Sequence, residues 1–293
     1  MKKNIKILFN IFYTFYRVIR ESKFQTDLEL INDSGECYIL GNGPSLKYYL
    51  EDNLDFLKKQ KTFAVNLFVK SEYYEILRPN YYVLADPNFW LFTGLPNKIK
   101  VEEDTLSTLN EISRKTSWPL TILIPYAAKK YFAIFFKNHE FIKIVCYNNT
   151  VIPVEGFDSL TNYLFKKNLA SPRIQNVLIA AIYASINIGF EKINVFGADH
   201  SWTKELFVND DNQVGCVDDH FYHKETPSLR LYTRYDGVNY KMHELLRDFA
   251  YMFEGYHILK KYADYKGAKI YNRSKGSFID AFERKESISN DNI

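Results

Sequence analysis

Seven short apolar runs, "CYIL", "TFAVN", "YYVLAD", "LTILIP", "IKIVCY", "KINVFGAD" and "AKIYN", recur along the 293-residue chain. Most are separated by helical patterns. Residues 46–59, 69–77 and 126–137 read as helices. Pro172 precedes a helix to Ile188 that Gly189 stops, a long helix is expected over about 238–263, and a short one closes the body. Strands that alternate with helices are joined by crossovers and lie parallel, and strands this apolar are covered on both faces. The pattern predicts an α/β fold: one mostly parallel sheet over residues 37–283 with helices on both faces. It loosens over residues 87–117. Residues 199–236 carry neither period, and a polar segment of that length is expected to be a lid or binding loop.

With 46% hydrophobic residues the chain has ample material for a large core. Its 38 basic and 35 acidic residues are too evenly balanced for a nucleic-acid binder with a broad cationic face. Six of the cations and one acid fall in residues 1–23, leaving 32 against 34 in the remainder. That first segment, "MKKNIKILFNIFYTFYRVIRESK", holds an uncharged run too short to span a bilayer and no cleavage site of a secretory signal. It reads as an amphipathic helix that lies on a membrane surface, or docks on the body or on a second copy in a homo-oligomer. Cys37, Cys146 and Cys216 are widely spaced without a CxxC pair, which predicts reduced thiols and a cytoplasmic protein, peripheral on the inner membrane face where the first helix binds lipid. Residues 284–293 read as a flexible tail.

The stretch "YILGNGPSLKYYL" places Gly41, Asn42, Gly43, Pro44 and Ser45 between a strand and a helix. Glycine allows close backbone approach and the N–H groups of a helix start point at an anion, so the turn is expected to cradle a phosphate, although it has neither common nucleotide-fingerprint spacing. In a parallel sheet, ligands bind beyond the carboxyl ends of the strands. Asn42, Asn66, Asp86, Asp199 and Asn272–Ser274 each follow a strand, and are expected to converge on one crevice.

His200, His220 and His223 share the polar segment, and "DDHFYH" sets two imidazoles three residues apart beside Asp218 and Asp219. An imidazole titrating near neutrality suits the removal of a hydroxyl proton. Zinc would need further ligands at a spacing the segment lacks. Asp210 and Asp211 are adjacent within a loop and read as a turn.

The blocks "ILGNGPSL", "INIGFEKINVFGAD" and "DDHFYH" resemble the bacterial sialyltransferases of glycosyltransferase family 42, and the broader group of motility accessory and capsule or lipopolysaccharide glycosyltransferases. The resemblance implies a single Rossmann-like domain of variant GT-A type that binds a CMP-sugar under a lid and acts on a glycan or lipid-linked glycan, with no cofactor and no metal. It places the nucleotide against Asn42 and Asn66, and Gly197 and Asp199 at the donor. Asp86 stands where the family commonly has Asn, and Arg173 with Gln175 and Asn176 matches its Arg and hydroxyl motif approximately. His223 matches the family's base, with His220 one turn away. Tyr222, Tyr232 and Tyr235 match its phosphate-stabilising tyrosines loosely. Two other readings remain on the same core: a Mg²⁺-dependent transferase or pyrophosphokinase gripping the ion with Asp86 and Asp199, and a noncatalytic glycan-assembly protein.

Overall fold

The computed structural model describes residues 2–24, 26–92, 94–95, 98–153, 157–218, 228–234 and 236–285. His220, Tyr222, His223, Tyr235 and the tail from residue 286 lie outside the described residues.

The apolar runs form β1 (Glu36–Leu40), β2 (Lys61–Val65), β3 (Tyr81–Val83), β4 (Leu120–Pro125), β5 (Ile142–Tyr147) and β6 (Lys192–Phe196). Three short strands follow, β7 (Leu206–Val208), β8 (Val214–Asp218) and β9 (Ser228–Leu231), and then β10 (Lys269–Asn272) and β11 (Glu283–Arg284). The large sheet has eight strands in the order β11-β10-β6-β1-β2-β3-β4-β5, and every pairing in it is parallel.

Alternation along each strand sends side chains to both faces. Cys37, Ile39, Phe63, Val65 and Val83 point to one core, covered by α6 (Asp158–Lys166), α7 (Val177–Ile188) and α8 (Met242–Lys266). Tyr38, Leu40, Ala64, Tyr82 and Ile122 point to the other, covered by α2 (Ser45–Leu57), α3 (Tyr73–Leu77), α4 (Ile99–Lys115) and α5 (Lys129–Phe135). Burying one such aliphatic side chain contributes about 1.5–3 kcal/mol, so a sheet covered twice is well anchored. The three cysteines are buried thiols, and burial pushes the Cys146 thiol up to about 11.

The helix α1 (Lys2–Glu21) precedes this body. It contributes Thr14 and Val18 to the interior and leaves Phe9, Phe12 and Ile19 exposed. Its end is tied down by Ser22 Oγ, which donates to Leu169 O (2.6 Å) and lies 2.8 Å from Thr150 Oγ1, and by Lys23 N, which donates to Asn148 Oδ1 (2.9 Å).

Several elements differ from the expectation for local reasons. Residues 87–117 contain the 17-residue α4, whose inner face carries Thr105 and Thr108 beside Leu109 and Ile112. The threonine hydroxyls bond back to Glu102 O and Asp104 O, so they pack inward while hiding the apolar stripe. The helix expected from residue 69 begins at Tyr73. Before it Asn66–Lys70 forms a 3-10 turn, closed by the Tyr82 hydroxyl, which donates to Asn66 O and accepts from Val69 N. Among the described residues no closing helix follows β10. Residues 199–236 are not without regular structure: a 3-10 turn over Ser201–Glu205 leads into β7, β8 and β9, a small antiparallel sheet. Its first turn is set by Asn209, whose Oδ1 accepts from Gln213 N, and by Asn212 at φ 57°.

Candidate functional site

From β1 the chain moves outward through β2, β3, β4 and β5, and then returns to β1's other side as β6, with β10 and β11 beyond. The strand order therefore reverses at β1. Connections leaving the carboxyl ends of β1 and β6 diverge there, and such a switch point opens a crevice. The crevice has a volume of about 540 Å³ and is lined by Asn42, Asn66, Asn176, Asp199, His200 and Trp202, among others.

The two glycines of "GNGPS" serve a contact between loops. Gly41 N donates to Phe196 O (2.8 Å) and Gly43 N to Gly197 O (2.9 Å), which extends the β1–β6 ladder past the strand ends. A Cβ on Gly41 would stand 2.5 Å from Gly197 O, and one on Gly43 would collide with Asp199 Oδ2. Gly197 itself has φ +61°. These two glycine amides are thus engaged within the protein. Ser45 Oγ donates to Asp199 Oδ2 (2.9 Å) and locks the same two loops together.

Asparagine amides supply much of the remaining wall. Asn42 Nδ2 donates to Val65 O (3.2 Å), which turns its side chain toward the end of β2. Asn66 is held at φ 44°, and its Oδ1 is buried and meets no hydrogen-bond donor among the described residues. Asn176 caps α7 by accepting from Leu178 N (2.8 Å), and Val177 and Leu178 also line the crevice. The positive end of α7's dipole therefore faces the space. Ten of α7's twelve residues are buried, which fixes that end firmly.

His200 follows Asp199 in a left-handed conformation, φ 54°. Its Nε2 lies 2.7 Å from the Tyr256 hydroxyl, and the rings of Trp202, Phe253 and Tyr256 surround it. Burial pushes the imidazole down to about 4, so it is neutral at physiological pH. Sequence reasoning grouped this residue with the lid histidines and assigned it no place at the site. Its position directly after a strand-end Asp was the available signal, whereas its partner on α8 was not visible. Trp202, Lys204, Glu205 and Val217 bring the polar segment over the crevice.

Other expected members lie elsewhere. Asp86 caps a 3-10 turn by accepting from Asn88 N (2.9 Å) and does not line the crevice, so the pair Asp86 and Asp199 does not form its wall. Arg173 is exposed, with its guanidinium 4.3 Å from the centre of the Tyr251 ring, and Gln175 is exposed beside it. Tyr232 accepts a contact from Cys216 Sγ (3.2 Å) outside the crevice lining. Asn272, Arg273 and Ser274 are buried braces: Ser274 Oγ accepts from Ala198 N (2.8 Å), and Arg273 Nε donates to Asn194 Oδ1 (2.8 Å). They support the crevice floor and do not face it. Asp210 is exposed in the β7–β8 turn, as is Asp211. Among the described residues no group of three or more His, Cys, Asp or Glu side chains could hold a metal ion.

Fold and site together define a doubly wound parallel α/β protein with a ligand crevice at its switch point. No protein-family model matches the chain, and no curated protein matches it. Among solved structures, a MAf glycosyltransferase from Magnetospirillum magneticum AMB-1 is similar at a TM-score of 0.43 and 13% identity, over 85% of this chain. The match takes in 33% of that protein, so this chain spans about a third of its length.

Proposed function

We propose that the chain is a glycosyltransferase that binds a CMP-activated sugar in the crevice and passes sialic acid, or a related acidic sugar, to a surface glycan. The observation that carries the reading is the buried Asn66 Oδ1, an acceptor without a donor among the described residues, on a residue that lines the switch-point crevice. An acceptor left in that state costs about 1–3 kcal/mol, and a turn of the side chain into the crevice would let the exocyclic amine of cytosine relieve it. The carbonyl that uracil carries in the same place would not. Asn42 and the Asn176-capped start of α7 add neutral donors and a positive dipole end, which suit a single phosphate that gains charge as it leaves.

In this reading the acceptor hydroxyl attacks the anomeric carbon, the bond to the CMP oxygen breaks, and the configuration inverts. The hydroxyl proton passes to His223, with His220 next in line as the base. The developing phosphate charge falls on fixed dipoles, so turnover is expected to persist in EDTA.

Thermal denaturation with added nucleotides tests the reading. CMP or CDP at about 100 times its dissociation constant should add roughly 2.7 kcal/mol, and UMP clearly less at the same concentration. Equal shifts from ATP and GTP would remove the cytidine assignment.

A further inference from the structure

We propose that α1 is a docking surface for an anionic lipid bilayer, on which the protein rests with the carboxyl edge of its sheet turned toward the membrane.

Successive helical residues turn by about 100°, so Ile5, Leu8, Phe9, Phe12, Phe15 and Ile19 fall on one arc of α1. This arc lies away from the buried Thr14 and Val18. Ile5, Phe9, Phe12 and Ile19 are between 60% and 71% exposed, values that belong to a surface the described residues leave open. Scattered exposed apolar residues are ordinary, but a continuous strip of this kind marks an interaction site.

The border of the strip identifies the partner. Lys6, Arg17 and Arg20 run along one side of it, and the helix has one acid, Glu21, already paired with Arg17 at 2.5 Å. Arg20 Nη1 donates to the Tyr16 hydroxyl (2.7 Å), and its guanidinium lies 5.8 Å from that ring's centre. Arg17 stands over Tyr13 in the same way, at 5.9 Å. Tyrosine and arginine at the margin, with phenylalanine and isoleucine beyond, match the depth profile of a bilayer: rings and cations at the headgroups, apolar groups in the acyl region. Anionic headgroups attract such cations by about 1 kcal/mol each. A second copy pairing through the same helix would meet the strip with an equally cationic margin, its one acid, Glu21, already engaged by Arg17. No described helix is long and apolar enough to cross a membrane, so the contact is peripheral.

The orientation follows from how α1 ends. Ser22 and Lys23 are bonded to Thr150 and Asn148, which follow β5 at its carboxyl end, and the crevice opens at the carboxyl ends of β1 and β6. A bilayer on that side brings lipid-held glycan within reach of the crevice, a step that rests on the proposed transfer reaction.

Co-sedimentation with vesicles decides the matter without any activity assay. The full chain should pellet with phosphatidylcholine vesicles containing about one third phosphatidylglycerol, and less at high salt, which screens the cations while leaving the rings buried. Phe9→Ser with Phe12→Ser should lower this partition at least about tenfold while leaving the melting temperature and the CMP shift unchanged. Lys6→Gln with Arg20→Gln, at two exposed positions, should remove the preference for anionic over neutral vesicles. Retention of the wild-type protein in the supernatant would overturn the proposal. So would a concentration-dependent dimer that the Phe9 and Phe12 substitutions convert to monomer, which would assign the strip to a second copy.

Discussion

The Ser45 hydroxyl donates to Asp199 Oδ2 across 2.9 Å and so ties the first turn of α2 to the loop that follows β6. These loops would otherwise part on either side of the strand-order reversal. Asp199 is 8% exposed, and a hydrogen bond to a charged, largely buried group is worth about 1.5–3 kcal/mol. Ser45→Ala should lower stability to urea by that amount, and Ser45→Thr, which keeps the hydroxyl, should recover most of it.

Gly43 should tolerate no side chain, for reasons of contact and not of backbone angle. An added Cβ would collide with Asp199 Oδ2 and stand 2.7 Å from Gly197 O. Gly276 has φ +70° but nothing within 4 Å of the same added atom. Gly276→Ala therefore meets only conformational strain, about 1–2 kcal/mol. Gly43→Ala instead forces the two loops apart, so it should cost at least as much and, unlike Gly276→Ala, abolish the CMP-induced rise in melting temperature. Equal effects of the two on ligand binding would mean that the loop contact does not shape the crevice.

Asn66→Gly separates the ligand's need from the fold's. Glycine accepts the φ of 44° that Asn66 adopts, and Asn66 Oδ1 has no donor to lose among the described residues. The melting temperature without ligand should stay within a few degrees, while affinity for CMP falls about tenfold through loss of one hydrogen bond. Unchanged affinity in a titration would take Asn66 out of the nucleotide site.

The parallel sheet was legible because its strands are continuous apolar runs and its crossovers leave a period of their own. Asn42, Asn66 and Asp199 could be placed at one edge because position after a strand is a one-dimensional property. What escaped depends on pairs distant in sequence. Gly41 faces Gly197, Ser45 faces Asp199 and His200 faces Tyr256, and none of these partners is marked by spacing. The same limit misassigned Asn272–Ser274, whose residue types suit a turn ligand but whose bonds brace β6 from behind. Thr105 and Thr108 hid α4 because a buried threonine that bonds to its own helix reads as polar in sequence.

His223→Ala should reduce turnover about 10²- to 10⁴-fold and leave CMP affinity nearly intact, since a base meets the acceptor oxygen on the side of the donor away from the leaving phosphate. His220→Ala should cost less. A reversed ranking in steady-state kinetics would transfer the role to His220. Full activity of the double variant would remove histidine catalysis by this pair.

His200 should be separable from that base by pH. Burial holds its imidazole at about 4 in the folded protein, against about 6.5 in an unfolded chain. Between those values the unfolded chain takes up a proton that the folded one refuses, so stability is full above about pH 6.5 and falls as pH drops toward 4. The loss attributable to this residue is at most about 3 kcal/mol. His200→Asn suits the left-handed backbone at φ 54° and removes the titrating group. Its melting temperature should therefore decline less steeply than wild type from pH 7 to pH 4.5, and parallel profiles would show that His200 stays protonatable when folded. A group already neutral at pH 6.5 has no proton to lose there. Any rise of turnover through that pH must then come from another side chain, and His200→Asn should leave the position of that rise unchanged even where it lowers the plateau.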